Sequence, residues 1–309
     1  MGWENGAVKI LSLLPSATEI VYALGLEDAL EGVTHECDHP AGARTKPVVS
    51  TTSLPPLDDA TPAEIDVLVS DSVARGEPLY RIDEDLVRDI RPDLILAQDL
   101  CRVCAVPSGQ VADALQMLGS SAQVISLDPH GVDDVIGGIE TVGRTTGVPE
   151  RAAAVAGELR DRVAAVEARA RDLRPVRALA LEWPEPAFVG GHWVPEMIRL
   201  AGGIDVLGKE GAPSRRATWS EIGESAPEVV VYMPCGYGLP DAEKQARDLR
   251  GRGMFEEARL YATDASSYFS RPGPRIVDGL EILAWCLHPD AFPAPQPGRA
   301  ARIFDGVHE

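Results

Sequence analysis

The residues best able to do chemistry in this chain fall in short polar clusters that follow apolar runs. "QDLCRVCAVP", Gln98–Pro107, places Cys101 and Cys104 three apart, directly after the apolar run "LILA". Two thiols at this spacing have three possible uses. A structural zinc site wants four ligands, so His35, Cys37 and Cys235 would have to converge on the pair from separate strands. A thioredoxin-type redox pair wants its first cysteine at a helix N-terminus to lower its pKa. Here Pro107 would begin the next helix, which leaves the pair in the loop before it. The third use, small soft side chains in a tight turn lining a ligand wall, needs no further partner. It is the preferred expectation, with a metal held by Cys101, Cys104 or His192 as the second.

The other candidates share this placement just past apolar runs. Pro15 closes "VKILSLLP"; His35, Glu36, Cys37 and His39 stand in "HECDHP"; Gln98 and Asp99 precede the cysteines. Further on come Glu182 and Trp183 in "LEWP", His192, Trp193 and Glu196 in "GGHWVPE", Cys235 and Tyr237 in "PCGYG", and Tyr268, Phe269 and Arg271 in "SYFSRP". Aromatic faces suit a flat macrocycle or base through stacking and apolar burial, although Trp193 would serve equally as packing. His192 would either ligate a metal centre carried by the ligand, as neutral imidazole, or donate a hydrogen bond. Gly190–Gly191 before it would let backbone approach a ligand closely. Arg271 with Tyr268 offers donors to a carboxylate or phosphate, unless "RPGPR" is simply a loop pinned by prolines. Used by an enzyme, Cys101, Cys104, Cys235, His35 and Glu196 would supply nucleophile, base and acid, with Glu36 and Glu182 beside them. Cys286, among Ile282, Leu283 and Leu287, reads as core.

Bringing these clusters to one place requires strands that end together, and the patterning provides them. "VKILSLLP" reads as a buried strand, followed by a Ser16/Glu19 capping box and a helix that ends near Gly25. "EGVTHE" and "KPVVS" read as strands. "TPAEIDVLVSDSVARG" has Thr61 as cap, Pro62 at the first helical position, Glu64 at the third and a stop at Gly76. A helix "DEDLVRDI", a strand "PDLILA", a further helix and the strand "QVISL" follow. Strands alternating with helices imply a parallel sheet covered on both faces. Residues 149–173 differ: Val155, Leu159, Val163, Val166, Ala170 and Leu173 make one helix face, ended by Pro175. The alternation then resumes with "RALALEW", "VPEMIRLAGG", "WSEIGESA", "EVVVYMP", "RLYATD" and "PRIVDGLEILAWCL". "DIRPDLILAQD" and "ESAPEVVVYMP" repeat one pattern, with Pro92 and Pro227 at matching places on opposite sides of the long helix.

The expected fold is therefore α/β, two Rossmann-like lobes with parallel sheets joined by a single long backbone helix. The expected boundaries are 1–148 for the first lobe, 149–174 for the helix, 175–290 for the second lobe and 291–309 for a loosely ordered Pro-rich tail. Ligands of parallel sheets sit beyond the carboxyl ends of the strands, which is where the clusters fall. "GIDVLGK", Gly203–Lys209, matches the start of a P-loop, but Glu210 replaces the magnesium-binding Ser or Thr and Pro213 stands where the helix should begin.

Composition narrows the partners. With 29 basic and 48 acidic residues the formal charge is −19, which repels phosphate backbones and anionic lipid, so neither nucleic acid nor membrane insertion is expected. Five cysteines, an odd number over 309 residues, do not form a disulfide framework and suit a reducing compartment. The N-terminal segment has no basic n-region or cleavage site, so a cytoplasmic location is expected.

Layout and local motifs together resemble the helical-backbone class of substrate-binding proteins, which serve transporters for cobalamin, haem and iron-siderophores. "LPSATEI" and "RPDLIL" are similar to the class at large; "DLCRVCAVP", "GHWVPE" and "FSRPGPR" resemble its leaderless cobalamin-binding branch. The resemblance implies a non-catalytic protein that closes on a corrinoid or similar flat metal chelate. No cofactor would be required; a corrinoid would be the ligand. It also implies one acidic residue per lobe facing an ABC permease, for which Asp85 and Glu221 are the nearest matches. First-turn acids of this kind also favour the helix dipole. A cytoplasmic location counts against a permease partner. The alternative is a cytoplasmic enzyme on the same fold, using the cleft Cys, His and Glu residues.

Overall fold

The apolar run at the start of the chain forms β1 (Ile10–Ser12), buried throughout, and leads at Pro15 into α1 (Pro15–Ala23). The structure is a computed structural model and describes residues 8–55, 57, 60–99, 109 and 121–304; Cys101, Cys104 and the helix expected before "QVISL" lie outside the described residues. Two compact units emerge, one of residues 1–129 and 136–157, the other of residues 130–135 and 158–309.

In the first unit β1 is followed by β2 (Leu30–Thr34), β3 (Val48–Thr52), α2 (Pro62–Ala74), β4 (Tyr80–Ile82), α3 (Glu84–Ile90), β5 (Leu94–Ala97), β6 (Gln123–Ser126) and α4 (Val132–Thr145). The sheet order is β4-β3-β2-β1-β5-β6, parallel except for the β3–β4 pair. Leu11, Leu13, Val49, Tyr80, Ile95 and Ala97 pack together with Val87 of α3 into one apolar cluster. Thr61 caps α2 as expected: its side chain accepts the Glu64 N–H while Glu64 reaches back to the Thr61 N–H at 2.8 Å. The Ser16/Glu19 capping box does not form. Pro15 takes the first helical position, so the cap is Leu14, which carries no hydroxyl, and Ser16 is buried inside the first turn.

The long helix, α5 (Pro149–Ala170), is shared between the units, its residues to Gly157 in the first and from Glu158 in the second. Leu159, Val166 and Ala170 are buried along the expected face.

The second unit contains β7 (Val176–Pro184), β8 (Ala187–Val189), α6 (Val194–Leu200), β9 (Gly203–Asp205), β10 (Arg215–Arg216), α7 (Trp219–Glu224), β11 (Val229–Tyr232), α8 (Leu239–Gly251), β12 (Arg259–Thr263), α9 (Ala265–Tyr268), α10 (Ile276–Leu287) and β13 (Ala300–Ile303). Its sheet runs β10-β8-β7-β11-β12-β13, with β9 also on β7. Alternation along β11 splits the core: Val230 and Tyr232 join Leu239, Ala242, Ala246 and Leu249 of α8 in one cluster, while Val229 and Val231, equally buried, lie on the other face.

Helices α4 and α8 have no counterpart among the sequence expectations. Gly137, Gly138 and several β-branched residues weaken the helix signal of α4, and α8 is mostly polar, yet both bury a clear stripe. Part of the expected tail packs on the sheet. Ala300–Ile303 pairs antiparallel with β12, and Phe292 is buried, because the edge of β12 offers hydrogen bonds that outweigh the local prolines.

The internal echo extends well beyond its prolines. Asp83 and Thr218 cap α3 and α7; Arg91 and Ala226 take left-handed φ values of 53° and 41°; β5 and β11 follow. Each of these pairs keeps the same sequence offset as Pro92 and Pro227. Asp85, exposed, pairs with Arg88, and Glu221 serves the Thr218 cap and pairs with Arg215, so both occupy the first-turn role. Among the described residues no helix is long and apolar enough to cross a membrane.

Candidate functional site

In the second unit three strand ends carry the candidates together. The Cys235 N–H donates to Glu182 O at 3.3 Å, and the Ser266 N–H to Tyr237 O at 3.3 Å, tying the end of β7, the loop after β11 and the start of α9 after β12 side by side. Trp183 and Tyr237 meet there, half-buried, with ring centroids 5.8 Å apart and planes at 41°. Burial, then the nearby Asp241, pushes the Tyr237 phenol up. Tyr268, at the end of α9, lies between two guanidinium groups, Arg275 at 5.7 Å and Arg299 at 5.1 Å from its ring centroid. Neither arginine was anticipated. Arg299 lies beyond α10 in sequence, and only the pairing of β13 on β12 brings it back to Tyr268. Gly279 of α10 allows this packing, since a Cβ there would meet Tyr268 O at 2.2 Å. Arg271 is half-buried in the adjoining loop, and Cys235 is exposed.

Other expected site residues have structural duties instead. Trp193 and Phe269 are 6 % and 2 % exposed, and the Trp193 indole N–H donates to Phe269 O at 2.9 Å, so both belong to the interior and not to a stacking surface. Glu196, expected as an acid or base, accepts the Val132 N–H at 2.7 Å through Oε2 and faces Arg199 at 3.4 Å through Oε1. It thereby caps the first turn of α4. Gly190–Gly191 give close approach to the chain's own backbone: a Cβ on Gly191 would stand 2.2 Å from Ser214 N. His192 follows with φ of 52°, locked by N–H donation to Ala212 O and acceptance from the Gly211 N–H.

The first unit has its own strand-end set. Cys37 is buried, with Sγ 3.1 Å from Thr18 Oγ1 and 3.3 Å from Thr34 Oγ1, a hydroxyl web that also includes Ser12 and holds the start of α1. It is a packing residue, as is Pro15 at the head of that helix. Gln98 is buried and donates to Leu127 O at 3.1 Å, joining the ends of β5 and β6. Asp99 is exposed and accepts from Ser126 Oγ at 2.9 Å. His35 and Glu36 are exposed just past β2. Among the described residues no three His, Cys, Asp or Glu side chains converge as a metal site.

Each unit thus presents a mixed sheet, antiparallel at β3–β4 in the first and at β7–β8, β8–β10 and β12–β13 in the second, and the carboxyl ends of its parallel strands hold the polar side chains, joined by aromatic ones in the second unit. The periplasmic binding protein family profile matches residues 10–255. The chain belongs to the periplasmic binding protein family. Among relatives, the vitamin B12-binding protein of Vibrio cholerae is 23% identical over 283 residues, covering 91% of this chain and 89% of that protein. An uncharacterised ABC transporter substrate-binding lipoprotein of Bacillus subtilis is 24% identical over 300 residues, covering 92% and 81%. The crystal structure of a periplasmic haem-binding protein from Pseudomonas aeruginosa superposes with a TM-score of 0.70 at 20% identity, covering 97% of this chain and 99% of that one. The chain therefore has the fold class that its patterning predicts, two α/β units with a long helix shared between them.

Proposed function

We propose that this periplasmic binding protein is a non-catalytic binder of a flat metal chelate of the corrinoid or porphyrin type. The observation that carries the reading is the Trp183–Tyr237 pair at the strand ends of the second sheet, half-buried and tilted so that a planar ligand can rest on aromatic faces. Relatives whose names specify vitamin B12 and haem support that ligand class. Arg275 and Arg299, the latter also facing Asp278 at 3.7 Å, set guanidinium donors on Tyr268 near the aromatic pair, suited to acidic side groups of such a macrocycle. The assignment of Glu196 to a structural role removes one member of the polar set on which a catalytic reading would draw.

The deciding experiment is absorbance-monitored equilibrium dialysis against hydroxocobalamin and, in parallel, haemin. Saturable binding of one or both at micromolar concentration or below is expected. Absence of saturable binding of either would overturn the chelate reading.

A further inference from the structure

His130 and His192, both in the second unit, are not used by the reading above. His130 stands just before α4, exposed, its N–H held by Asp134 Oδ2 at 3.0 Å. His192 stands between β8 and α6. Gly211 borders both residues. Its N–H donates to His192 O at 2.9 Å, and a Cβ built on it would fall 4.0 Å from the His130 Cβ.

His192 is unusually constrained for a loop residue. Its backbone is left-handed at φ 52°, a conformation that costs energy outside glycine and persists where the surroundings over-determine it. Its ring lies 5.7 Å from the Trp193 ring, itself fixed by the bond to Phe269 O. Nδ1 is buried and has no hydrogen-bond partner among the described residues. A buried polar atom left unpaired costs about 1–3 kcal/mol, so an unused nitrogen on an immobilised ring calls for an explanation.

We propose that His130 and His192 together bind one divalent late first-row transition-metal ion, with water completing its coordination. Imidazole nitrogen suits zinc, nickel and copper, and a preoriented ring loses little freedom on ligation. The proposal is independent of the chelate reading and survives its failure.

The test is isothermal titration of Zn²⁺ into the full chain, stripped of metal and carrying Cys101→Ser, Cys104→Ser and Cys235→Ser to silence competing thiolates. One equivalent should bind. Losing even an outer-sphere partner costs a metal site about 10–100-fold, so His130→Ala and His192→Ala should each weaken binding by at least about tenfold. The double variant should be little weaker than either single one, whereas His288→Ala, whose ring meets Gly202 O, should bind as the parent does. Absence of saturable binding, insensitivity to both substitutions, or losses that simply add would overturn the proposal. Should either variant fail to fold by circular dichroism, Cu²⁺ electron paramagnetic resonance on the Cys→Ser parent decides. Hyperfine coupling to two nitrogens sustains the site, and coupling to one or none overturns it.

Discussion

Asp93 and Glu228, equivalent positions of the internal repeat, do the same work in the two units. Each follows a proline at the entrance to a parallel strand and accepts a backbone N–H at the beginning of the neighbouring strand: Lys9, just before β1, at 2.9 Å for Asp93, and Arg177, the second residue of β7, at 3.0 Å for Glu228. Each also donates its own N–H to that residue's carbonyl, at 2.9 and 2.8 Å. The carboxylate thus satisfies the backbone where the ladder begins. The two halves repeat in hydrogen bonding as well as in layout.

Glu228 should give the fold an acid limb. The Arg174 side chain, then the Arg177 N–H, holds its pKa below the ordinary 4.5. Between the folded and unfolded values the unfolded chain binds the extra proton, so stability rises with pH there and is lost as pH falls through the folded value. Glu228→Gln should flatten urea-measured stability against pH below 4.5 relative to the parent. An unchanged slope would remove Glu228 from that limb.

The tryptophans should separate cleanly. Trp183→Ala is expected to weaken chelate binding by roughly 5–30-fold, about 1–2 kcal/mol, with little change in melting temperature. Trp193→Phe should do the reverse. It leaves the buried Phe269 carbonyl without its donor, at a cost of ~1–3 kcal/mol, while affinity holds. Calorimetry and ligand titration on the same two variants check both.

Arg162 ties α5 to α10 within the second unit, bonding Asp278 at 2.6 Å and Glu281 at 3.0 and 2.9 Å. These bonds push the guanidinium pKa up. Arg162→Ala takes both bonds from Glu281 and leaves Asp278 only the longer contact to Arg299 at 3.7 Å, and should destabilise by about 1.5 kcal/mol, the low end for charged hydrogen bonds, because the groups are partly exposed. Denaturant unfolding in low and high salt reads the loss, which should shrink as salt rises.

Thiol chemistry should single out Cys235. Cys37 and Cys286 are buried, and burial pushes the Cys286 thiol far up. With Cys101 and Cys104 replaced by serine, a colorimetric thiol titration should find one reactive group in the native chain, at Cys235, and three after unfolding. Two or more native equivalents would place Cys37 or Cys286 within reach of solvent.

Local chemistry determined most of the scaffold. Strands β1, β2, β3, β5, β6, β7, β11 and β12, the Thr61 capping box, the shared helix and the proline-marked repeat were legible because each depends on side-chain period, a cap or a fixed φ within a short stretch of chain, whereas the short strands β4, β8, β9, β10 and β13 carry too few residues for a period to show. Helices α4 and α8 were missed although their buried stripes, Val132, Val135, Ile136, Ile139 and Val142 in one and Leu239, Ala242, Ala246 and Leu249 in the other, are apolar at helical spacing; Gly137 and Gly138 in α4 and the polar remainder of α8 mask them. The sequence also placed the candidate clusters at strand ends, but it could not separate wall from interior. Whether an aromatic or a carboxylate faces solvent depends on partners far away in the chain: Phe269 for Trp193, Val132 for Glu196, Thr18 for Cys37, and Arg299 for Tyr268. Such partners lie far beyond any periodic signal, so only the tertiary structure decided which residues remain available to a ligand.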